Sequence, residues 1–362
     1  MVHFARTPTR RDLLNWLRSG LIAIPLRVVA ASPRPDSKTR PEPSWNVLPA
    51  WLLMHGRAAF GNASALTIAI RDTQPPLTVY KEHTRVRLVQ PPGDNSILRL
   101  RFEKGQRYNL TRLPLHGNGS FVDIGANLGF VSIAVAKLRP CMRIIAIEPA
   151  PETYFYFLWN CWLNGVPVTA VDLSSSNGMG DTSTHTLASE HQGMERRASI
   201  LALNAAVVGG SDGETTTMRF NPKNTQVTMS EDVLQRDLSV FHCGRFVSGR
   251  RCFKRPEIRT ISVATVNVLE FLKRRGDPNG IVQLLKMDCE GCEIAFAANS
   301  TSSLRSWFLD KRRVKWIVGE QHPTLHKAFD IRDIRTAARL FKARGCPFES
   351  LRTRQISWSI DC

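Results

Sequence analysis

The sequence predicts an α/β domain on a doubly wound, mostly parallel sheet with helices on both faces, preceded by a small β-rich lead-in. Three observations carry this. From about residue 119, short apolar runs alternate with helix-length runs in the order of a βαβ unit. A glycine-containing turn, Gly125 to Gly129, joins the first of these strands to its helix. Several of the apolar runs stop on an acidic residue, as expected of a sheet whose carboxyl edge holds a ligand.

Residues 1–45 read as a targeting or linker segment. The first 35 residues carry one acid, Asp12, against Arg6, Arg10, Arg11, Arg18, Arg27 and Arg34. The apolar stretch Leu13–Ala31 is interrupted by Arg18, Ser19 and Arg27, and arginines are costly at a bilayer centre. A targeting peptide fits better, either a signal peptide ending at Val-Ala-Ala-Ser or an Arg-rich transit peptide. A packing helix broken at Pro25 is the alternative. Residues 32–45 are proline-rich and polar, in the manner of a linker.

Residues 46–118 form the lead-in. After the apolar stretch Trp45–Ala65, the runs Leu66–Ile70, Leu77–Tyr80, Val86–Val89 and Ile97–Phe102 read as strands punctuated by Pro-Pro and Pro-Pro-Gly-Asp. The main domain is assigned to residues 119–362. Its strands are Ser120–Ile124, Arg143–Ile147, Ile200–Ala205, Thr260–Val263, Val282–Met287 and Val314–Gly319. Its helices are Phe130–Leu138, Thr153–Leu163, Val266–Arg274 and Asp333–Arg344. The polar stretch 174–197 reads as an insertion, and Phe348–Leu351 with Gln355–Ile360 as a terminal hairpin.

The chain has 49 basic against 31 acidic residues, a net charge of +18. That surplus suits an anionic partner, whether nucleic acid, a lipid surface or an acidic glycan. No RNP, KH or zinc-finger signature supports nucleic acid, whereas the basic amino-terminal segment suits membrane proximity. The eight cysteines are scattered. Cys243 and Cys252 flank a short loop as a disulfide or as free thiols, and Cys289 and Cys292 read as small side chains around a glycine, without a second pair at zinc spacing. Sequons at Asn62, Asn109, Asn118 and Asn299 lean towards the secretory route. The secretory pathway or an organelle is therefore favoured, with the cytoplasm as the alternative.

The chemistry gathers at four strand ends. In Phe121-Val122-Asp123-Ile124-Gly125-Ala126-Asn127-Leu128-Gly129 an acid ends the strand, Gly125 lets backbone approach a ligand, and Gly129 opens the helix where it packs closely against the sheet. The spacing Asp-x-Gly-x-x-x-Gly differs from the dinucleotide fingerprint Gly-x-Gly-x-x-Gly. Glu148, 25 residues after Asp123 and followed by Pro149, is placed to accept hydrogen bonds from ribose hydroxyls. A nicotinamide enzyme also wants this acid, so Glu148 indicates an adenosine-type ligand and the glycine spacing favours a methyl donor. The third block, Lys286-Met287-Asp288-Cys289-Glu290-Gly291-Cys292-Glu293, puts three carboxylates and a lysine after an apolar strand. The fourth, Val318-Gly319-Glu320-Gln321-His322, closes another strand on an acid and a histidine.

These blocks, together with Asn160, Asn164 and Asn204-Ala205-Ala206, resemble in order and content the FkbM family of methyltransferases over residues 119 to about 322. The resemblance implies a Rossmann-like class I methyltransferase fold, with a seven-stranded, mostly parallel sheet and a terminal antiparallel hairpin. It implies S-adenosyl-L-methionine as cofactor, bound by Asp123, Gly125, Asn127, Gly129, Glu148 and Asn204, and O-methylation of a small-molecule or glycan hydroxyl. The sequence departs from the family where Val266-Asn267 replaces the usual Leu-Asp and where residues 174–197 are inserted.

Methyl transfer to an alcohol needs alignment and a base. Asp288 or His322 is the expected base, with Glu290 orienting the acceptor. A divalent ion on Asp288, Glu290 and His322 is a weaker alternative, and no metal site is expected. A dehydrogenase lacks its fingerprint here. A non-catalytic binding protein on the same fold is the second reading.

Overall fold

The computed structural model describes residues 46–81, 83–94, 96–97, 108, 110, 120–171, 173, 198–208, 214–221, 226–228, 259–275, 280–289, 294, 296–297, 300–321, 331–346 and 356–357. The lead-in opens with two helices, α1 (Ala50–Phe60) and α2 (Ala63–Asp72), followed by the hairpin β1 (Leu77–Lys81) and β2 (Thr84–Leu88). It is thus mixed α/β, and the strand expected at Leu66–Ile70 is the middle of α2. Asn62 starts that helix by accepting the amide of Ala65 on Oδ1 at 2.8 Å. Leu66 and Ala69, three apart, are buried while Ile68 is half exposed, which is helix rather than strand periodicity. Ser96 and Ile97 are likewise helical, and the rest of the run to Phe102 lies outside the described residues.

The domain sheet takes β3 (Ser120–Ile124), β4 (Arg143–Ile147), β5 (Val168–Val171), β6 (Ile200–Leu203), β11 (Val282–Met287) and β12 (Val314–Gln321). Its six strands run parallel in the order β12-β11-β3-β4-β6-β5. The two-residue β13 (Ile356–Ser357) lies antiparallel along β12, and Phe348–Leu351 falls outside the described residues. β3 and β11 are buried along their whole length, as parallel strands covered on both faces must be. From β3 the chain first winds towards β4 and later returns on the other side at β11. This strand-order reversal opens a crevice beyond the carboxyl ends of β3, β4 and β11.

Helices α3 (Phe130–Leu138) and α4 (Pro151–Leu163) cover one face of the sheet. Helices α5 (Val268–Arg274), α6 (Ser302–Leu309) and α7 (Ile331–Arg344) cover the other. Each face has its own apolar core: Phe121, Ile144 and Leu284 belong to the first, Val122, Ile145 and Leu285 to the second. Residues Thr153 to Cys161 of α4 are all buried, so a helix apolar on every side needs a second cover. The lead-in supplies it, with Phe60 of α1 edge-on to Phe155 of α4 at 5.6 Å between ring centroids.

Asn160 in the last turn of α4 and Asn164 at its C-cap fasten this cover. Asn160 accepts from Val89 N at 2.7 Å and donates to Val89 O at 3.1 Å. Asn164 accepts from Arg87 N at 3.0 Å and donates to Arg87 O. Two side-chain amides thereby satisfy alternate backbone groups at the β2 end as a neighbouring strand would.

A second sheet has the order β7-β10-β8-β9, from β7 (Ala205–Val207), β8 (Thr215–Asn221), β9 (Gln226–Thr228) and β10 (Arg259–Val266). The chain crosses from β6 to β7 at Asn204, so the run read as one strand, Ile200–Ala205, serves two sheets. Among the described residues, no helix is long and apolar enough to cross a membrane.

Candidate functional site

The crevice is built from three consecutive strand ends. Asp123 and Lys286 are direct neighbours on β3 and β11, and Lys286 Nζ lies 2.8 Å from Asp123 Oδ1 with both side chains buried. Ser132 Oγ donates to Asp123 Oδ2 at 2.7 Å, and Lys286 Nζ donates to Gly125 O at 2.9 Å. Asp123 therefore sits beneath the loop and anchors it, its charge balanced inside the fold.

Gly125 has φ 75°. A methyl group there would meet Asp288 O at 2.0 Å, so only glycine lets the β3 loop and the β11 end lie against each other. Gly129 has φ 83°, and a methyl group would strike the Phe157 ring at 2.1 Å. The close packing expected at Gly129 is against α4, not the sheet. Asn127 holds the left-handed region at φ 51° while its Oδ1 accepts the Leu128 amide at 2.7 Å.

Glu148 directly follows β4 and is buried rather than solvated. Its Oε2 accepts Asn127 N at 2.8 Å and its Oε1 accepts Ala150 N at 3.0 Å. Burial pushes its carboxyl up to about 7, and these two amides and the charge of Lys286 offset only part of that rise. Asn204 donates to the carbonyls of Glu148 at 2.8 Å and Pro149 at 3.0 Å, holding the turn that presents the acid. The glycine loop, Glu148 and Asn204 thus form one hydrogen-bonded unit.

Asp288 is tied by its backbone amide to Ile124 O at 3.1 Å, and its Oδ2 accepts the Tyr108 hydroxyl at 2.7 Å. The Tyr108 ring lies over Lys286 Nζ at 5.6 Å. A cavity of about 120 Å³ opens here, between the Gly125–Leu128 loop, Asp288 and the lead-in residues Leu88, Ile97, Tyr108 and Leu110. A narrower crevice of about 20 Å³ lies on the other side of Gly125, against Pro149, Ala206, Met218 and Cys289. Gly125 borders both.

The structure brings Asp123, Gly125, Asn127, Glu148, Asn204 and Asp288 to one sheet edge, with Gly129 at the foot of α3. Glu290 and His322 lie outside the described residues, as do Cys243, Cys252 and Cys292. Among the described residues, no group of three carboxylate, histidine or cysteine side chains is arranged for a metal. Cys289 is disulfide-bonded, as is Cys346, which corrects its reading as a merely small side chain. Asn267, where the family has Asp, caps α5 by accepting from Leu269 N at 3.1 Å and Glu270 N at 3.3 Å, work that either residue performs. Sequence reasoning missed Tyr108 and Ser132. Ser132 follows Asp123 by nine positions and rises from the first turn of α3, a spacing that offers a hint; Tyr108 stands in no motif.

No solved structure matches the chain. A curated protein, methyltransferase sdnD of Sordaria araneosa, is 39% identical over 75 residues, which cover 20% of this chain and 28% of that protein. The chain thus matches less than a third of that relative's length. The family model described as the methyltransferase FkbM domain matches residues 123–343, from the acid at the end of β3 to the last turn of α7. That span takes in the glycine loop, the buried acid after β4 and the β11 edge, and covers more than half of the sequence. The chain belongs to the FkbM methyltransferase family.

Proposed function

We propose that the protein is an S-adenosylmethionine-dependent O-methyltransferase acting on a hydroxyl of a small molecule or glycan. The observation that carries the cofactor reading is the hydrogen bond from Asn127 N to Glu148, which joins the glycine loop to a buried acid at the next strand end. A buried carboxyl already held by two amides still offers lone pairs to ribose hydroxyls. Gly125 and Asn127 line the cavity of about 120 Å³ beside it, where the amino-acid part would lie, and Ala206 and Met218 give an apolar wall on the side of the base. Asp123 acts through the loop it anchors, and Asn204 through the Glu148 turn.

When held by the glycine loop and Glu148, S-adenosylmethionine would supply a methyl carbon made electrophilic by its positive sulfur, with a neutral thioether as the leaving group. The acceptor's proton needs a destination, and Asp288, on the wall of the larger cavity, is the base in this reading. Glu290 orients the acceptor and His322 is the alternative base. Two disulfide-bonded cysteines support passage through the secretory route over residence in a reducing cytoplasm.

Calorimetry with S-adenosylmethionine tests the cofactor, and absence of binding at millimolar concentration defeats the reading. Transfer of labelled methyl groups from it into fractionated extracts, with identification of the modified atom, tests the acceptor. Label found on nitrogen or carbon overturns the hydroxyl assignment. Asp288→Asn should slow transfer by about 100-fold or more, to a residual rate, while leaving cofactor affinity within about twofold, since the side chain keeps its shape and loses its basicity.

A further inference from the structure

We propose that Tyr108 is a positioning residue for methyl transfer, fixing the Asp288 carboxylate from outside the family-matched region. The inference rests on the reading of Asp288 as the base. Tyr108 is buried, precedes residue 123, and is brought by the fold to a carboxylate 180 positions later in the chain. Its company in the molecule shows what is distinctive. Tyr80 is exposed, Tyr154 directs its hydroxyl at the Ala202 carbonyl at 3.0 Å, and Tyr156 pairs with the Thr73 hydroxyl at 2.9 Å. Those contacts close buried polar groups inside the fold. Tyr108 directs its hydroxyl at an acid on the wall of a cavity.

The contact does two things. A phenol donating at 2.7 Å to Oδ2 restrains rotation of the carboxylate and so fixes the direction in which it can take a proton. The ring also stands over the Lys286 ammonium, which is engaged with Asp123 and Gly125 O. Two acids at neighbouring strand ends are thereby given separate partners: Lys286 for Asp123, Tyr108 for Asp288. In the transfer step the acceptor's proton passes to Asp288 as its oxygen gains the methyl group. Tyr108 keeps its own proton throughout, so it orients the base without exchanging anything with the acceptor.

The test compares wild type, Tyr108→Phe, Asp288→Asn and the double variant. The probe is tritiated S-adenosylmethionine, with the extract fraction that wild type labels as acceptor. Tyr108→Phe should lower the maximal rate about 10- to 100-fold, the scale of a lost orienting partner. Its calorimetric Kd for S-adenosylhomocysteine should stay within about twofold of wild type. The double variant should be no slower than Asp288→Asn alone, because Tyr108 acts only through that acid. A second readout needs no turnover: 3-fluorotyrosine at position 108 should shift its fluorine resonance when Asp288 becomes Asn. A full rate in Tyr108→Phe, an additive loss in the double variant, or an unmoved resonance overturns the role of Tyr108 while leaving the methyltransferase reading standing. A wild-type rate in Asp288→Asn removes Asp288 as base and Tyr108 with it. Absence of any transfer by wild type defeats both.

Discussion

Asn160 holds Val89 in both directions, its Oδ1 accepting the Val89 amide at 2.7 Å and its Nδ2 donating to the Val89 carbonyl at 3.1 Å. The same Nδ2 donates to Leu128 O at 2.9 Å, so one wholly buried side chain binds the lead-in, α4 and the glycine loop together. Asn160→Leu keeps the branched outline of the side chain and strands these backbone groups. Each buried unpaired group costs about 1–3 kcal/mol, so a loss of about 3 kcal/mol in urea unfolding is expected. Asn164→Leu, nearer the surface, should cost less. Equal losses in the two variants would contradict this division of labour.

Glu148 makes the unliganded fold sensitive to pH. Its carboxyl lies at about 7 in the folded protein against an ordinary 4.5. Between these values the folded state holds the proton more tightly than the unfolded chain, so stability contributed below pH 4.5 is lost as pH rises through 7. The span corresponds to about 3 kcal/mol. Glu148→Gln should remove that part of the slope of unfolding midpoint against pH. Ribose hydroxyls donating to the ionised carboxylate should also tighten cofactor binding as pH rises from 6 to 8. Calorimetry in buffers of different ionisation enthalpy would detect the released proton.

Lys286 is expected to be needed for folding before it is needed for chemistry. Lys286→Met leaves the Asp123 carboxylate buried without its cation, a change that costs about 3–5 kcal/mol. Adding Asp123→Asn should restore much of that stability, since the uncompensated charge is gone. Denaturant titration of the two variants decides it: a double variant less stable than Lys286→Met alone rejects the pairing as the cause.

Cys289 ties the edge of the site to redox conditions. It is disulfide-bonded and borders the crevice beside Gly125. Treatment with a phosphine reductant should lower the melting temperature, in line with the roughly 2–5 kcal/mol that native disulfides supply. It should also weaken S-adenosylhomocysteine binding. Mass spectrometry after alkylation reports whether the thiol was released, and unchanged affinity in the reduced protein would separate the disulfide from the site.

The sequence was most legible where a residue type is demanded by geometry in its own neighbourhood. Gly125 has no substitute because a methyl group collides with Asp288 O, and the strand-turn-helix around it announces that need locally. Glu148 was legible for the same reason, as an acid at a strand end one βαβ unit later. What failed depends on distant partners. Leu66, Ile68 and Ile70 alternate as a strand does, yet Asn62 caps a helix there and α4 offers a surface to cover. Asn160 and Asn164 stood out only as matches to the family, and their grip on the lead-in could not be read, because their partners Val89 and Arg87 lie more than 70 positions away. Val168–Val171 is too short to stand out from the polar stretch that follows. Tyr108 had no local signal at all, since its meaning comes entirely from Asp288.

Gly125 borders both cavities and touches the backbone of Asp288, so the floor shared by the two compartments has no slack. A change made there to reshape one compartment alters the other as well. The opposite wall of the larger cavity is contributed by Leu88, Ile97 and Leu110, which precede the family-matched span. If this cavity takes the acceptor, as proposed, changes at those three side chains should alter acceptor choice while leaving Asp288, Glu148 and the glycine loop in place, and directed evolution of new acceptors would begin there.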